Sequence, residues 1–380
     1  MIDHPVGICS IAVNFPTLLR TNDFWRNKYP DLVAQAEQKT LAKLFSSTES
    51  ATNSSEFDLE MAPYLADPFR GAIERRVLSP DESSLTLEHR AACDALKAAD
   101  LSPDGVDLMI VTSLFPEQIV PGNASFLARE LSLHGPAWNL ESTCSSALVA
   151  LQTAGALVRA GEYRNVLVVI SCIYSRFTDE DDTLSWFMGD GAGAFVVSSL
   201  KPHQGILGTK IVHTAATCGA FFNELLIDAQ GKPRMRIQTG ENASKQIRGT
   251  GVEFVRTCSE GAIAAAGVTL DQIDFFAFNT PTAWYADLCV RALNIEPERT
   301  INLYPQYANI GPVLPIANLY HAAQSGKIRE NNLVLVYTIG SASTAAATVM
   351  RWGDVALGPM PAPPVSLAGQ EERIPLLASS

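Results

Sequence analysis

The residues best suited to chemistry in this chain are Glu141-Ser-Thr-Cys144-Ser-Ser-Ala, small polar residues wrapped around one cysteine. An apolar run closes at Leu140, the small residues favour a turn, and the pattern predicts a helix from about Ser145. A cysteine there would sit at the positive end of a helix dipole among free backbone N–H groups. Such a placement lowers a thiol's pKa and readies it as a nucleophile. The other reading is a buried cysteine that only packs, and the local pattern does not choose between them. The remaining six cysteines fall in apolar strands or helices, or in the polar stretch around Cys218, and read as structural.

Positioning that turn requires a frame. Apolar runs of strand length alternate with Ala/Leu-rich helical stretches, the pattern of a parallel or mixed sheet covered by helices. Strands are expected at Gly7–Val13, Leu108–Thr112, Val166–Ser171, Ala192–Ser198, Ile206–His213, Phe275–Phe278 and Leu333–Ile339. Helices are expected at Ser84–Ala98, Ser145–Ala160, Thr250–Ala266, Thr282–Leu293 and Val313–Gln324, with Gly267 as a stop. The stretch Ala36–Leu65, rich in Ser, Thr, Asn and Glu, reads as a mobile insertion or cap. The tail from Gly358 is Pro-rich and is expected to fray.

An internal repeat divides the chain. Val106–Glu117 followed by Asn139–Ile170 is echoed by Ile273–Trp284 followed by Asn302–Ile339, at an offset of about 165 residues. Each copy runs strand, helix, Asn-Leu strand end, small-residue turn, helix, Gly, strand. That spacing is too long for a solenoid, so it indicates a duplicated α/β unit, two copies packing into a five-layered αβαβα body with a site between them. The expected division is 1–200 for the half bearing Cys144, with 36–65 as its insertion, 201–357 for the second half and 358–380 for the tail.

Composition narrows the function. The net charge is -12 and no Lys/Arg run is present, which argues against a nucleic-acid groove or an anionic membrane surface. A small basic pocket for one phosphorylated ligand remains compatible with it. No apolar stretch reaches membrane-spanning length, and the N-terminus lacks the basic start of a secretory signal. Seven scattered cysteines form neither a disulfide framework nor a CxxC pair. The chain therefore reads as a cytoplasmic α/β protein. The acidic run Phe177–Asp182 reads as a solvated loop rather than a metal site. Gly189–Ala194 lacks the spacing of a phosphate loop and reads as a tight structural turn into a strand.

Several motifs in order carry a resemblance: Ile73–Ser84, Glu141–Leu148, Phe187–Val197, Tyr307–Leu319 and Ile339–Ser343. Together they resemble the ketoacyl-acyl-carrier-protein synthase III family of the thiolase-like superfamily, from about Val6 to Trp352. The resemblance implies an acyltransferase that takes an acyl group from a carrier-protein or coenzyme A thioester onto Cys144 and passes it to a second substrate. It also implies a homodimer, and a site with no metal and no cofactor, the thioester being substrate. Asn309 matches the asparagine that hydrogen-bonds the thioester carbonyl. The backbone N–H groups of Cys144 and Ser341 match the oxyanion hole.

One position departs. The family's histidine belongs thirty residues before Asn309, where this chain has Asn279. Thr282 replaces the asparagine that closes the family motif, and Trp284 stands where an arginine often lies near the coenzyme A or carrier arm. An Asn279 amide can donate a hydrogen bond but cannot exchange a proton at neutral pH. Losing one charge-stabilising donor typically costs about 10²–10³ in rate, roughly 3–4 kcal/mol. The change leaves two outcomes: Claisen condensation that tolerates Asn279, or transfer to an alcohol or amine. The altered triad places the role in specialised fatty-acid or polyketide-type metabolism. The rival is a non-catalytic partner subunit used for dimerisation or carrier docking, against which the presence of Cys144 and Asn309 counts. None of the six histidines is an evident replacement base; His213 and His321 read as structural. Arg75 and Arg76 read either as contacts for a pantetheine phosphate or carrier, or as structural. Acyl choice is expected near Phe115, Phe187, Phe221 and Phe222.

Overall fold

The computed structural model describes residues 5–46, 55–227, 231–341 and 343–366. In chain order the first elements are β1 (Val6–Asn14), β2 (Leu18–Thr21), α1 (Asn22–Lys28), α2 (Pro30–Ser46), α3 (Glu56–Met61), β3 (Glu74–Val77) and α4 (Ser84–Ala98). Next come β4 (Leu108–Leu114), α5 (Asn123–Glu130), β5 (Ala137–Asn139), α6 (Ser146–Arg159), β6 (Val166–Ile173) and β7 (Asp190–Ser199). Then follow β8 (Gly205–His213), β9 (Phe221–Ile227), β10 (Pro233–Thr239), α7 (Ala243–Ala266), β11 (Phe275–Phe278) and α8 (Tyr285–Leu293). The last are α9 (Tyr304–Tyr307), α10 (Leu314–Gln324), β12 (Leu333–Ile339), β13 (Thr344–Arg351), β14 (Ala356–Leu357) and β15 (Val365–Ser366).

Two main sheets run β14-β1-β7-β6-β4-β5 and β11-β12-β13-β8, beside the smaller sheets β15-β2-β3 and β10-β9. Their central strands β6, β7, β11 and β12 are buried on both faces, as sheets between helical layers must be. In β6, Val166, Val168 and Ile170 pack with Ala147, Leu148 and Leu151 of α6. Leu167 and Val169, pointing the other way, pack with Leu87 and Ala91 of α4. In β12, Val334 and Val336 join α6 and α10, whereas Leu333 and Leu335 join α7 and α8. The two-residue period of each strand thus divides the core into layers: α4 and α5, sheet, α6 and α10, sheet, α7 and α8.

The repeat read from the sequence is a repeat of topology. The order β1-β7-β6-β4-β5 is matched by β8-β13-β12-β11, with Thr300 bridging Phe276 in the fifth place. Antiparallel and parallel pairings agree in both copies. Helix ends follow local chemistry: Ser83 and Thr86 form a capping box at the start of α4, and Gly267 ends α7 in the left-handed region at φ 67°.

Three expectations need correction. The tail does not fray where it is described: Gly358 N–H donates to the Ile11 carbonyl, β15 pairs with β2, and Tyr320 Oη donates to the carbonyls of Gly358 and Pro359. Residues 367–380 lie outside the described residues. The insertion is not a mobile loop at its second end. There α3 starts with a Ser55–Asp58 capping box and buries Phe57 edge-on against Trp284, ring centroids 6.2 Å apart. Ion pairs Glu56–Arg256, Asp58–Arg248 and Glu60–Arg291 hold it to α7 and α8; residues 47–54 lie outside the described residues. The acidic run is not merely solvated. Glu180 pairs with Arg20 and Lys28, and Asp179 pairs with Arg236, which ties β2, α1 and the β9–β10 hairpin to the body.

Candidate active site

Cys144 occupies a single 3₁₀ turn, Thr143–Ser145, immediately before α6. Thr143 takes a positive φ of 47°, uncommon for a non-glycine residue and the kind of backbone strain that collects at functional turns. The turn is fastened to the second half of the molecule largely by hydroxyls. Ser142 Oγ lies 2.9 Å from Ser343 Oγ and 2.7 Å from Thr344 Oγ1, and Ser145 Oγ donates to the Thr344 carbonyl at 2.7 Å. Gly340 is required where the two turns meet. A Cβ there would lie 2.0 Å from Thr143 Oγ1 and 2.9 Å from the Ser142 carbonyl. These contacts bring Ser341 of the β12–β13 turn to the pocket that Cys144 lines.

Asn309 arrives from the second copy of the repeat. It bridges to Met188, donates its N–H to the Phe187 carbonyl at 2.9 Å and accepts from Gly189 N at 3.0 Å. Its side-chain Oδ1 accepts from Gly311 N at 2.8 Å, so the amide's other end, the donor, is the group left for the pocket. Gly189 has the structural role expected of it, since a Cβ would meet the Tyr307 carbonyl at 2.3 Å.

The pocket encloses about 300 Å³. One wall is apolar, with Leu114, Phe115, Leu184, Phe187, Met188 and Ile237; Phe221 and Phe222 of the hairpin also line it. The other wall carries Phe57, Arg70, Thr282 and Trp284. Trp284 Nε1 and Thr282 Oγ1 are buried without a protein hydrogen-bond partner. Among the described residues, no group of three or more His, Cys, Asp or Glu is placed to hold a metal ion.

Several sequence expectations change here. Burial pushes the Cys144 thiol up to about 11, opposite to the expected lowering, because desolvation of the sulfur, helped by the Glu141 charge, outweighs what the Tyr174 hydroxyl and the Cys144 N–H return. Asn279 is fully buried and does not line the pocket. Its Nδ2 donates to the carbonyls of Cys144 at 3.4 Å and Gly311 at 3.3 Å. Arg75 and Arg76 are buried and structural. Arg75 donates to the Trp186 carbonyl and to Asn22 Oδ1, and lies 4.5 Å from the Trp25 ring. Arg76 donates to the carbonyls of Pro16 and Ala362. Arg70, which the sequence did not single out, is the arginine of this segment that lines the pocket. His321 Nε2 lies 3.2 Å from Tyr307 Oη, in a packed aromatic setting.

Tyr174 also escaped the sequence reading. Its Oη lies 3.9 Å from Cys144 Sγ, and both residues line the pocket. No motif marks it; it follows the end of a buried strand and looks like core.

A strained nucleophile turn, facing an asparagine turn at the seam of a duplicated α/β body, defines the thiolase-type class of acyl-transferring proteins. Comparison with known proteins agrees. Residues 138–215 match 3-Oxoacyl-[acyl-carrier-protein (ACP)] synthase III, residues 263–352 match its C-terminal domain, and residues 83–173 match the beta-ketoacyl synthase N-terminal domain. The chain is 30% identical over 291 residues to beta-ketoacyl-[acyl-carrier-protein] synthase III of Gloeobacter violaceus, covering 74% of this chain and 88% of that protein. It is 28% identical to the Brucella suis enzyme of the same name, with the same coverage. The solved synthase III from Thermus thermophilus superposes with a TM-score of 0.73 at 25% identity, over 92% of this chain and 99% of that one. A priming beta-ketosynthase from the R1128 polyketide pathway shares the fold, with a TM-score of 0.75 at 19% identity over 92% of this chain and 97% of that one. The chain belongs to the beta-ketoacyl-[acyl-carrier-protein] synthase III family, and is an enzyme of the acyltransferase, condensing class.

Proposed function

We propose that this enzyme takes an acyl group from a carrier-protein or coenzyme A thioester onto Cys144 and hands it to a second, small-molecule substrate. The observation that carries this reading is the meeting of Cys144, Asn309 and Ser341 on one largely apolar pocket at the seam between the two halves. In this reading the N–H groups of Cys144 and Ser341 hold the oxyanion, and Asn309 Nδ2 donates to the thioester carbonyl. The apolar wall takes the acyl chain. Arg70, Thr282 and Trp284 face the incoming pantetheine arm, with Arg70 as the cation for its phosphate. No cofactor is needed, because the thioester supplies the activation. The working unit is a cytoplasmic homodimer in specialised fatty-acid or polyketide-type metabolism. No helix among the described residues is long and apolar enough to cross a membrane.

Family membership supports carbon–carbon bond formation as the second half-reaction. The engagement of Asn279 with two backbone carbonyls favours transfer to an alcohol or amine, because that amide is not free to stabilise a decarboxylation enolate. Intact-protein mass spectrometry decides. A stable acyl mass on wild type and none on Cys144→Ala is expected. Chasing the adduct with a malonyl thioester, an amine and an alcohol identifies the acceptor class. Failure of every donor to load Cys144 would favour a non-catalytic partner subunit instead.

A further inference from the structure

Among the described residues no side-chain base touches the sulfur of Cys144; Glu141 acts on it only through its charge. Asn279 cannot take a proton, and neither can the Asn309 amide. Burial holds the Cys144 thiol up at about 11, so its thiolate is scarce at neutral pH. Thioester exchange must nevertheless move one proton from the cysteine to the departing thiol. Among the described residues, the side chain recorded within hydrogen-bonding reach of Cys144 Sγ is the hydroxyl of Tyr174, at 3.9 Å.

We propose that Tyr174 relays that proton: its oxygen accepts the Cys144 S–H proton while its own O–H proton passes to the sulfur of the leaving pantetheine. This proposal rests on the reading of Cys144 as acyl acceptor. The balance closes without a further reactant. The Cys144 S–H bond breaks and a Tyr174 O–H bond forms. The old Tyr174 O–H bond breaks and an S–H bond forms on the leaving thiol. The acyl carbon exchanges one C–S bond for another. A hydroxyl can both accept and donate, and a neutral tyrosine ends the step as it began.

The surroundings hold Tyr174 for this role. The Ser175 N–H, one residue on, donates to the buried carboxylate of Asp190 at 2.9 Å, and Ser175 Oγ donates to it as well. The Tyr174 carbonyl accepts from Phe177 N at 2.9 Å and from Thr178 Oγ1 at 3.1 Å. Its ring packs on Phe115 with centroids 5.4 Å apart. Opposite, Gly311 lets its turn approach Cys172, since a Cβ there would lie 2.8 Å from Cys172 Sγ, and it comes no closer than ordinary contact, 3.4 Å, to the Tyr174 hydroxyl. Burial holds the Tyr174 phenol well above its ordinary value, which keeps it protonated and able to donate.

The test is single-turnover acyl loading followed by intact-protein mass, on wild type, Tyr174→Phe and Cys144→Ala. Each receives one acyl group on two donors, pantetheine and thiophenol. Phenylalanine keeps the packing on Phe115 and removes only the hydroxyl. Tyr174→Phe is expected to slow loading from the pantetheine thioester about 10²-fold. The defect should shrink with the thiophenyl ester, whose thiolate leaves without a proton. The variant's loading rate should also climb more steeply with pH than that of wild type, because its thiolate must form beforehand. Equal rates, or an equal defect on both donors with an unchanged pH slope, would overturn the relay while leaving Cys144 in place. Acyl uptake by Cys144→Ala would remove the nucleophile and the relay together. Wild type alone gives a second readout should the variant fold poorly. Loading in deuterated water is expected to show a normal isotope effect, and an inverse or absent effect would sink the proposal.

Discussion

Asn279 donates its side-chain amide to the backbone carbonyl of Cys144 at 3.4 Å, so it braces the nucleophile turn through the main chain. With its second bond to the Gly311 carbonyl, it links the turn that bears Cys144 to the turn that follows Asn309. Replacing Asn279 with Ala removes two buried hydrogen bonds, while the Gly311 carbonyl keeps its bond from the Leu314 N–H. The expected cost is about 1–3 kcal/mol of stability, measurable by urea denaturation. Acyl loading on Cys144 should survive at a reduced rate.

The pKa of Cys144 fixes a pH profile. A thiol raised to about 11 stays protonated across the neutral range, and its thiolate fraction grows about tenfold per pH unit below that value. Alkylation of Cys144 by iodoacetamide, followed by peptide mass spectrometry, should therefore rise steadily from pH 7 to 10 without a plateau. A plateau near pH 7 would mean that the helix end, rather than burial, sets the thiol.

Glu88 offers a second titration, far from the pocket chemistry. Its carboxylate is fully buried, accepting from Ser113, Ser171 and Asn123, and desolvation raises its pKa to about 7. A carboxyl raised above its unfolded value stabilises the fold while protonated. Its contribution is present below about pH 4.5 and lost as pH rises through 7. Compared with Glu88→Gln, wild type should lose at most about 3 kcal/mol between those limits. Denaturant midpoints of the two proteins across that window test this.

The arginines separate by position. Arg70→Gln should weaken loading about tenfold at low concentrations of a phosphopantetheine donor, the size expected for one phosphate contact. A short thioester without a phosphate should load unchanged. Arg75→Ala, by contrast, removes a buried cation from beside Trp25 and Asn22. It should lower the melting temperature first, whichever donor is used.

Local pattern made most of the frame legible. Strand β12 and helix α4 fall at the predicted residues because their apolar periods are unbroken and their ends carry ordinary turn chemistry. The β9–β10 hairpin was missed because it stands largely exposed, so its side chains carry no inside–outside alternation tied to the core. The packed tail was missed because pairing of Val365 with Leu18 depends on residues more than three hundred positions apart. At the site, Cys144 was visible as a turn residue before a helix, and Asn309 through the family resemblance. The direction of the thiol's shift, the main-chain bonds of Asn279 and the nearness of Tyr174 were not, since each is set by burial and three-dimensional contact rather than by sequence neighbours.

The fastenings of the cap and of the nucleophile turn differ in kind. Three partly exposed ion pairs hold α3 over the pocket wall, whereas hydroxyls alone join Ser142 and Ser145 to Ser343 and Thr344. Dissolved ions weaken the first and leave the second untouched. Ionic strength thus becomes a dial expected to loosen α3 without reaching the nucleophile turn, and hydrogen exchange of the two segments across a salt titration of the unmodified enzyme tests it.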